Sequence, residues 1–271
     1  METTSGDGSA GGPPAGDNRG RVAVVTGAGS GIGRATAMRL AAEGATVVAV
    51  DLTEASLAWS DGVDRVIPLP GSVTDDATNE LMVATAVEAG GRLDAVVLNA
   101  GVAAQGDIQR GSMDDFDRML EVNVRAVAVG CKAAVPAMGE GGSIVITGSV
   151  SGLLGDSGLF AYNASKGAVV NMARSIALDL AHLGIRVNAV CPGPIRTGMT
   201  SQLESHSIGE VMAARVPLGR FGQPEEVAAA ICFLTSPASS FVNGVALPVD
   251  GGVTAGTGQW PTYGARRAGF A

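Results

Sequence analysis

The chain has 271 residues, of which 46% are hydrophobic and 16% charged, and this is enough apolar material for a sizeable core. Its net charge of −8 argues against a nucleic-acid or anionic-membrane partner. No apolar run approaches the roughly 18 residues of a membrane span. The cysteines Cys131, Cys191 and Cys232 lie far apart in apolar runs without metal-ligand spacing. They predict buried, reduced thiols, a cytoplasmic location and no bound metal.

The first twenty residues are rich in Gly, Ser, Pro and Asp and lack the apolar segment of a signal peptide. We expect residues 1–20 to be a disordered tail. The folded chain then opens with a buried strand, Arg21–Thr26, followed by a glycine-rich loop and a helix, Arg34–Glu43. A second apolar strand, Ala45–Val50, ends next to Asp51.

The same alternation of strand and helix continues as far as Gly252. Further strands are predicted at Arg65–Leu69, Asp94–Leu98, Ser143–Thr147, Ile185–Cys191 and Val245–Val249. Further helices are predicted at Asp75–Ala89, at Ser112–Met138, over a segment that holds Tyr162, and from Pro224 onward. Strands separated by helices predict an α/β fold, a doubly wound parallel sheet of about seven strands with helices on both faces. No linker interrupts the series, so residues 21–252 are expected to form a single domain.

The first loop has the context of a dinucleotide-binding site. Gly27, Gly31 and Gly33 follow a strand and open a helix, where free N–H groups and close backbone approach suit a pyrophosphate. The alternative interpretation is a plain tight turn. Asp51, at the end of the second strand, can accept hydrogen bonds from the adenosine ribose hydroxyls and would repel a 2′-phosphate. Neither Ser30 nor Leu52 supplies a positive charge, so NAD is expected rather than NADP; a phosphate contact from Arg34 stays open.

A second constellation lies between Ser149 and Lys166. Tyr162 precedes Lys166 by four residues, so in a helix the phenol and the cation share one face. The positive charge is expected to lower the pKa of Tyr162 and to suit it to proton exchange with an alcohol or a carbonyl. Ser149, after the strand Ser143–Thr147, can donate a hydrogen bond to the same oxygen. Such a Tyr–Lys pair also occurs by chance in helices without any catalytic role.

An ordered set of motifs spans nearly the whole folded chain. These motifs are Thr26-Gly27-x-x-x-Gly31-Ile32-Gly33, Asn99-Ala100-Gly101, Asn123, Ser149, Tyr162-x-x-x-Lys166 and Pro192-Gly193. Together they resemble the short-chain dehydrogenase/reductase family. The resemblance implies a Rossmann-type sheet and a catalytic tetrad of Asn123, Ser149, Tyr162 and Lys166, in which Tyr162 is the general acid/base. Lys166 would also hold the nicotinamide ribose, and Asn123 would order a water that relays protons to Lys166.

The resemblance also implies which residues bind the cofactor. Asn99, Ala100 and Gly101 would line the adenosine side, and Ile195 and Thr197 would hold the carboxamide and the diphosphate. Ser72 stands where the family usually has an aspartate against the adenine, so adenine is expected to bind less strongly. The expected cofactor-binding residues are Gly27, Ser30, Gly31, Ile32, Gly33, Asp51, Leu52, Ser72, Val73, Asn99, Ala100, Gly101, Tyr162, Lys166, Pro192, Gly193, Ile195 and Thr197.

The sequence therefore predicts an NAD-dependent oxidoreductase that interconverts a secondary alcohol and a ketone by direct hydride transfer. One alternative is a 3-oxoacyl thioester reductase that uses NADP(H). Another, from a different class, is a dinucleotide-binding regulator without catalytic activity; the presence of both Tyr162 and Lys166 argues against it. The variable segment Arg196–Arg215 carries apolar residues that suggest a pocket lid and a small, moderately hydrophobic substrate.

Two further expectations concern assembly. The helices Ser112–Met138 and Tyr162–Leu183 are apolar on more than one face, and in the family these helices pair across a two-fold axis, so a homotetramer is expected. The C-terminal tail, residues 253–271, carries Trp260 and Tyr263, which a disordered tail normally lacks. We expect this tail to dock at a subunit interface; packing on its own subunit is the alternative.

Overall fold

In the computed structural model, which describes residues 17–201 and 207–257, seven parallel strands form one sheet. The strands are β1 (Val22–Thr26), β2 (Thr46–Asp51), β3 (Val66–Pro70), β4 (Leu93–Leu98), β5 (Met138–Thr147), β6 (Arg186–Pro192) and β7 (Ala246–Val249). Their spatial order is β3-β2-β1-β4-β5-β6-β7. The predicted doubly wound sheet is confirmed. The strands match their predicted positions within one or two residues, except that β5 starts at Met138 rather than Ser143.

The helices connect these strands and cover both faces of the sheet. They are α1 (Gly31–Ala42), α2 (Glu54–Leu57), α3 (Asp76–Gly90), α4 (Met113–Leu120), α5 (Ala126–Ala134), α6 (Phe160–Leu180), α7 (Ser207–Arg215) and α8 (Pro224–Thr235). As predicted, Ser112 caps α4 by accepting a hydrogen bond from Asp115 N, and Pro224 opens α8. In the described part of the chain, no helix is both long and apolar enough to cross a membrane.

The predicted single helix Ser112–Met138 is wrong in one respect. A π-helical turn, Glu121–Arg125, separates α4 from α5. Asn123, in this turn, is buried; its Oδ1 accepts from Val102 N at 2.8 Å, and its Nδ2 donates to Val102 O at 2.9 Å. The wider turn carries the amide inward to a neighbouring loop, a use of π-turns that sequence periodicity does not reveal.

Two apolar cores lie on opposite faces of the sheet, because successive strand residues point in opposite directions. In β1, Val22 and Val24 face the core built with α3, α5 and α6, whereas Ala23 and Val25 face the core built with α1 and α8. All four of these side chains are at most 3% exposed. The central strands are therefore buried on both faces, as a parallel sheet between two helical layers requires.

Asn18 packs into the fold, although the predicted tail includes it. Asn18 is 1% exposed, and its Nδ2 donates to Cys232 O at 3.2 Å, while its Oδ1 accepts from Thr235 Oγ1 at 3.2 Å. A buried amide that pairs with the end of α8 belongs to the fold. Residues 1–16 of the predicted N-terminal tail lie outside the described residues, as do Trp260 and Tyr263 of the predicted C-terminal tail.

Candidate active site

A cleft of about 280 Å³ opens at the carboxyl ends of the central strands. It lies where β1 has β2 on one side and β4 on the other, so the loops that follow β1 and β4 turn to opposite faces of the sheet. Ligands of open parallel sheets bind at such a switch point. The cleft is lined by Gly27, Ser30, Gly31, Ile32, Asp51, Asn99, Ala100, Gly101, Val102, Thr147, Gly148, Ser149, Tyr162, Lys166, Pro192, Gly193, Ile195, Thr197, Gly198, Met199 and Thr200.

The glycine loop forms one wall of this cleft and fits a diphosphate. Gly27 has φ of +65°, and a Cβ there would lie 2.8 Å from Ala100 Cα, so only glycine fits this approach. Helix α1 then begins at Gly31, with no acidic residue in its first turn and no side-chain capping hydrogen bond from Ser30. Its first N–H groups are thus available to an anion. Gly33 lies behind the loop, against the Gly27 carbonyl.

The Asp51 carboxylate lines the cleft next to the glycine loop and is held there by three hydrogen bonds. Its Oδ2 accepts from Gly29 N at 2.8 Å, and its Oδ1 accepts from Leu52 N at 2.8 Å and from Ser56 Oγ at 3.1 Å. These bonds fix the carboxylate beside the glycine loop. The carboxylate thereby ties the end of β2 to the loop after β1, in addition to any contact with a bound ribose.

The side chain of Arg34 is directed onto an aromatic ring. Its guanidinium lies 5.4 Å from the centroid of the Trp59 ring, within the range of a cation–π contact. Trp59 is anchored in turn, since its Nε1 donates to Ala28 O at 3.0 Å. The structure thus shows Arg34 of α1 in contact with Trp59, in the short 3-10 turn Ala58–Ser60 that follows α2.

Asn99 and Thr26 join the ends of three strands under the cleft. Thr26 Oγ1 accepts from Asn99 N at 3.0 Å and from Ala100 N at 3.1 Å. Asn99 Nδ2 donates to Thr26 O at 3.1 Å, and Asn99 Oδ1 accepts from Thr147 Oγ1 at 3.1 Å. The polar side chains at the ends of β1, β4 and β5 therefore satisfy one another, which sets the floor of the site.

The structure brings Ser149, Tyr162 and Lys166 together at the other end of the cleft. Ser149 follows β5, while Tyr162 and Lys166 lie one turn apart on α6. Ser149 Oγ accepts a hydrogen bond from Ser151 N at 3.1 Å, and the hydroxyl acts on Tyr162 by lowering the pKa of its phenol. The Lys166 ammonium lies 5.8 Å from the centroid of the Tyr162 ring and donates to Thr147 O at 2.8 Å. Lys166 is 5% exposed, so this bond satisfies a buried cation.

The pKa of Tyr162 shifts opposite to the predicted direction. Burial raises it, the hydrogen bond from Ser149 lowers it, and the Asp156 carboxylate raises it further. Burial also lowers the pKa of Lys166 to about 8. The predicted fall in the Tyr162 pKa is wrong here because desolvation of the phenol dominates, and because the ammonium is directed to the Thr147 carbonyl.

Asn123 belongs to the support of the site rather than to its lining. Besides its two bonds to Val102, its Nδ2 donates to Ser165 Oγ at 3.0 Å, next to Lys166 in the sequence. The side chain thus couples the π-turn to α6 and to the loop after β4. A Cβ at Gly101 would lie 3.2 Å from Asn123 Oδ1 and 3.5 Å from Lys166 Nζ, so these two polar groups approach the same glycine.

Three further residues expected at the cofactor lie outside the cleft lining. Leu52 is 68% exposed beyond Asp51. Ser72 and Thr74 share a hydrogen bond of 2.7 Å in the turn before α3, and the Val73 carbonyl accepts from Asn79 Nδ2 at 2.8 Å. The Ser72 hydroxyl and the Val73 carbonyl are therefore hydrogen-bonded to residues of the same segment.

Sequence reasoning missed three lining residues, namely Val102, Thr147 and Gly148. Adjacency to a predicted residue was a usable signal for each, since Val102 follows Gly101, and Thr147 and Gly148 precede Ser149. Gly198, Met199 and Thr200 also line the cleft, and they lie in the segment Arg196–Arg215 that was expected to form a pocket lid. No group of three or more His, Cys, Asp or Glu side chains within residues 17–201 and 207–257 could hold a metal ion.

Comparison with known proteins assigns the chain to a family. The sequence model described as Enoyl-(Acyl carrier protein) reductase matches residues 27–254. The meso-2,3-butanediol dehydrogenase of Serratia marcescens is 42% identical over 243 residues, which cover 88% of this chain and 96% of that protein. The chain belongs to the short-chain dehydrogenase/reductase family.

Two other similar proteins show the breadth of this family. A 3-oxoacyl-(acyl-carrier-protein) reductase of Thermotoga maritima is 41% identical over 241 residues, covering 86% of this chain and 98% of that protein. The crystal structure of levodione reductase has a TM-score of 0.83 at 35% identity, covering 88% of this chain and 98% of that one. The chain thus belongs to a family of oxidoreductases that act on CH–OH groups of small molecules and use nicotinamide dinucleotide cofactors.

The close approach of Gly152 to α6 yields a test of the site geometry. A Cβ at Gly152 would lie 2.6 Å from both the carbonyl carbon and oxygen of Lys166. Gly152→Ala must therefore push the turn after Ser149 away from Lys166. We expect kcat/KM to fall at least about tenfold, because a displacement near 1 Å at reacting groups is that costly.

Gly155→Ala is the matched control, since a Cβ there meets nothing within 4 Å. The prediction is tested by measuring kcat/KM of both variants in steady-state kinetics, with circular dichroism to verify that each variant is folded. Equal kcat/KM in the two variants would contradict the proposed close packing.

Proposed function

We propose that this protein is an NAD-dependent dehydrogenase that interconverts a secondary alcohol and a ketone, with Tyr162 as general acid/base. The observation that carries the proposal is the convergence of Ser149, Tyr162 and Lys166 at one end of a cleft whose other end is the glycine loop and Asp51. One end suits a diphosphate and a ribose, and the other suits a reacting oxygen. The separation of these features along one continuous cleft supports a dinucleotide beside a small substrate.

In this mechanism each side chain has a distinct role. The glycine loop, Asp51 and Lys166 would hold a nicotinamide dinucleotide, which would supply the hydride chemistry. During oxidation Tyr162 Oη takes the proton from the substrate hydroxyl, and during reduction it returns the proton to the carbonyl oxygen. Ser149 steadies the same oxygen by hydrogen bonding. Lys166 supplies a positive charge behind the phenol, and Asn123 holds the loop and helix that place Lys166.

The preference for NAD rests on the charge next to the glycine loop. Asp51 is fixed there by three hydrogen bonds, so its carboxylate would repel the 2′-phosphate of a cofactor held by the glycine loop. Arg34, the nearby cation considered from the sequence, is stacked on Trp59. An anion in this region would therefore meet a fixed negative charge and an arginine already engaged elsewhere.

Cofactor preference gives the first test of this proposal. We expect kcat/KM with NAD to exceed that with NADP at least about tenfold, or 1.4 kcal/mol. Asp51→Asn should narrow this ratio, since the amide keeps an acceptor for Gly29 N but loses the charge. Asp64→Asn, an exposed site at the amino end of β3, removes the same charge away from the cleft and should leave the ratio unchanged. Equal use of both cofactors by the wild type would refute the NAD assignment.

Proton transfer by Tyr162 gives a second test. Tyr162→Phe should reduce turnover at least about 10²-fold while NADH binding, measured by fluorescence, persists. Because oxidation needs the deprotonated phenol, kcat/KM for an alcohol should rise with pH up to the Tyr162 pKa. Ser149→Ala removes the hydroxyl that lowers the Tyr162 pKa, so the rise of kcat/KM with pH should occur at higher pH in this variant than in the wild type. Retention of more than a tenth of wild-type turnover by Tyr162→Phe would remove Tyr162 from this role.

A 3-oxoacyl thioester reductase is the second candidate, favoured by the similarity to the Thermotoga maritima reductase. Asp51 argues against it if the reaction requires NADPH, and the net charge of −8 gives little attraction for an acidic carrier protein. Reduction of an acetoacetyl thioester with NADPH, faster than oxidation of any secondary alcohol with NAD, would favour this candidate. A regulator without catalysis is the third, and detectable Tyr162-dependent turnover of either kind excludes it.

We also propose a homotetramer in which the C-terminal tail lies at a subunit interface. The described surface exposes apolar side chains along α6 and before β7, among them Leu178 at 80% and Phe241 at 102%. Exposed apolar residues on a helix that already packs on its own sheet support contacts with other subunits. β7 is the strand at one edge of the sheet, and the C-terminal tail, whose sequence carries Trp260 and Tyr263, follows it after a short turn.

Truncation after Thr257 tests this assembly without removing Thr254, whose Oγ1 donates to Asp250 Oδ2 at 2.7 Å. We expect the truncated protein to keep its fold but to show a weaker tetramer or a higher KM. Light scattering and steady-state kinetics supply the measurements. The tail proposal is wrong if tetramer stability and KM both stay at wild-type values, and the tetramer proposal is wrong if the full chain is a monomer at micromolar concentration.

A further inference from the structure

The segment between the two catalytic hydroxyls carries a fixed carboxylate. Residues 150–159 connect Ser149 to α6, and Asp156 lies exposed within them. Ser151 Oγ donates to Asp156 Oδ2 at 2.6 Å, and Asn163 Nδ2 donates to Asp156 O at 2.8 Å. Ser151 is two residues after Ser149 and Asn163 directly follows Tyr162. Hydrogen bonds thus connect the Asp156 side chain to a residue next to Ser149 and its backbone to the residue next to Tyr162. The proposed mechanism assigns Asp156 no role.

The charge of Asp156 reaches the reacting end of the site. Its carboxylate raises the pKa of Tyr162, as expected for a negative charge near a phenol. A second charged group, the Lys166 ammonium, lies 5.8 Å from the centroid of the Tyr162 ring, is buried and donates to Thr147 O. The thiol of Cys191, on β6, interacts with Lys166 but is buried and has a raised pKa of about 11. Tyr162 therefore lies between a buried cation and an exposed anion.

The described lining of the cleft holds one positive charge, the Lys166 ammonium. This ammonium is buried and already donates to Thr147 O. The other charged lining residue is Asp51, at the opposite end, and most of the remaining lining consists of backbone, hydroxyl and apolar groups, such as Val102, Gly193 and Met199. An anionic substituent that approaches the Asp156 carboxylate would therefore find no exposed cation in this lining, and this arrangement disfavours it.

We propose that Asp156 is a specificity-determining residue that selects uncharged alcohols and ketones over substrates with a carboxylate or sulfonate near the reacting carbon. This proposal rests on the proposed dehydrogenase function and narrows its substrate class. The effect is electrostatic repulsion across the mouth of the site, which increases when the ionic strength is low. The serine that holds Asp156 keeps the charge in place while the substrate enters.

A matched pair of substrates tests the proposal. Methyl 4-hydroxycyclohexanecarboxylate and the free 4-hydroxycyclohexanecarboxylate share the ring and the reacting hydroxyl but differ by one charge. We measure the ratio of kcat/KM for the acid to that for the ester. Asp156→Asn keeps an acceptor for Ser151 Oγ and should raise this ratio about tenfold at low salt, the size of a single charge interaction at a partly exposed site. Asp156→Glu restores the charge and should restore the low ratio.

Asp179→Asn is the control for net charge, since Asp179 is exposed near the C-terminal end of α6. Its acid-to-ester ratio should equal that of the wild type. The proposal is overturned if Asp156→Asn leaves the ratio unchanged, or if it lowers kcat/KM for both substrates equally, because the residue would then only hold the loop. A rise in the ratio that Asp179→Asn reproduces would also overturn it, since it would then reflect net charge alone.

Binding measurements separate this proposal from the proposed function. If the wild type oxidises neither substrate, the dehydrogenase assignment for these alcohols fails. The Asp156 proposal is then decided by Kd values of 4-oxocyclohexanecarboxylate and its methyl ester for the enzyme–NADH complex, read by NADH fluorescence. Preference for the ester that Asp156→Asn abolishes supports the proposal, and equal affinity of the wild type for both ligands overturns it.

Ionisation of Tyr162 supplies a readout that a purely structural role would not move. The chain has two tyrosines, so tyrosinate absorbance of each variant, corrected by the same variant with Tyr162→Phe, isolates Tyr162. Asp156→Asn should lower its titration midpoint by at least about 0.3 pH unit, the effect of one charge at about 10 Å in water. An unchanged midpoint would mean that the carboxylate does not act on the phenol.

Discussion

A buried ammonium is the constraint on which the rest of the site depends. Lys166 is 5% exposed on α6, and a cation in that position must be hydrogen-bonded. The Thr147 carbonyl, at the end of β5, supplies the partner at 2.8 Å. Together with the apolar packing of α6 on the sheet, this bond sets the place of Tyr162 one turn earlier. Any change that separates the helix from the end of β5 would leave the charge without its partner.

The same approach of helix and strand determines which residues can follow β5. Gly148 is followed by Ser149, and three residues later Gly152 lies against the backbone of Lys166. A larger residue at Gly152 would move the turn that carries Ser149. Packing therefore requires the small residue at Gly152, and the same turn determines where Ser149 lies relative to α6.

Most of the fold could be predicted because its signals are local. Apolar β-branched runs separated by helical segments specify a parallel sheet, and glycines at a strand–helix junction specify a turn such as that at Gly27. The path from α4 to α5 could not be predicted, because the π-turn at Asn123 depends on a contact with Val102, twenty-one residues away in the sequence. The buried position of Asn18 likewise depends on α8, which lies far away in the sequence.

The catalytic end of the site shows the same limit more sharply. Spacing alone put Tyr162 and Lys166 on one helical face, but it suggested that the cation would dominate the tyrosine pKa. Burial of the phenol and the carboxylate of Asp156 act against that effect, and both depend on the tertiary structure. The Lys166 ammonium is buried and donates to the Thr147 carbonyl, whereas the Asp156 carboxylate is exposed and raises the Tyr162 pKa. Because salt screens an exposed charge more strongly than a buried one, ionic strength alters the effect of Asp156 on this pKa without any change in the fold.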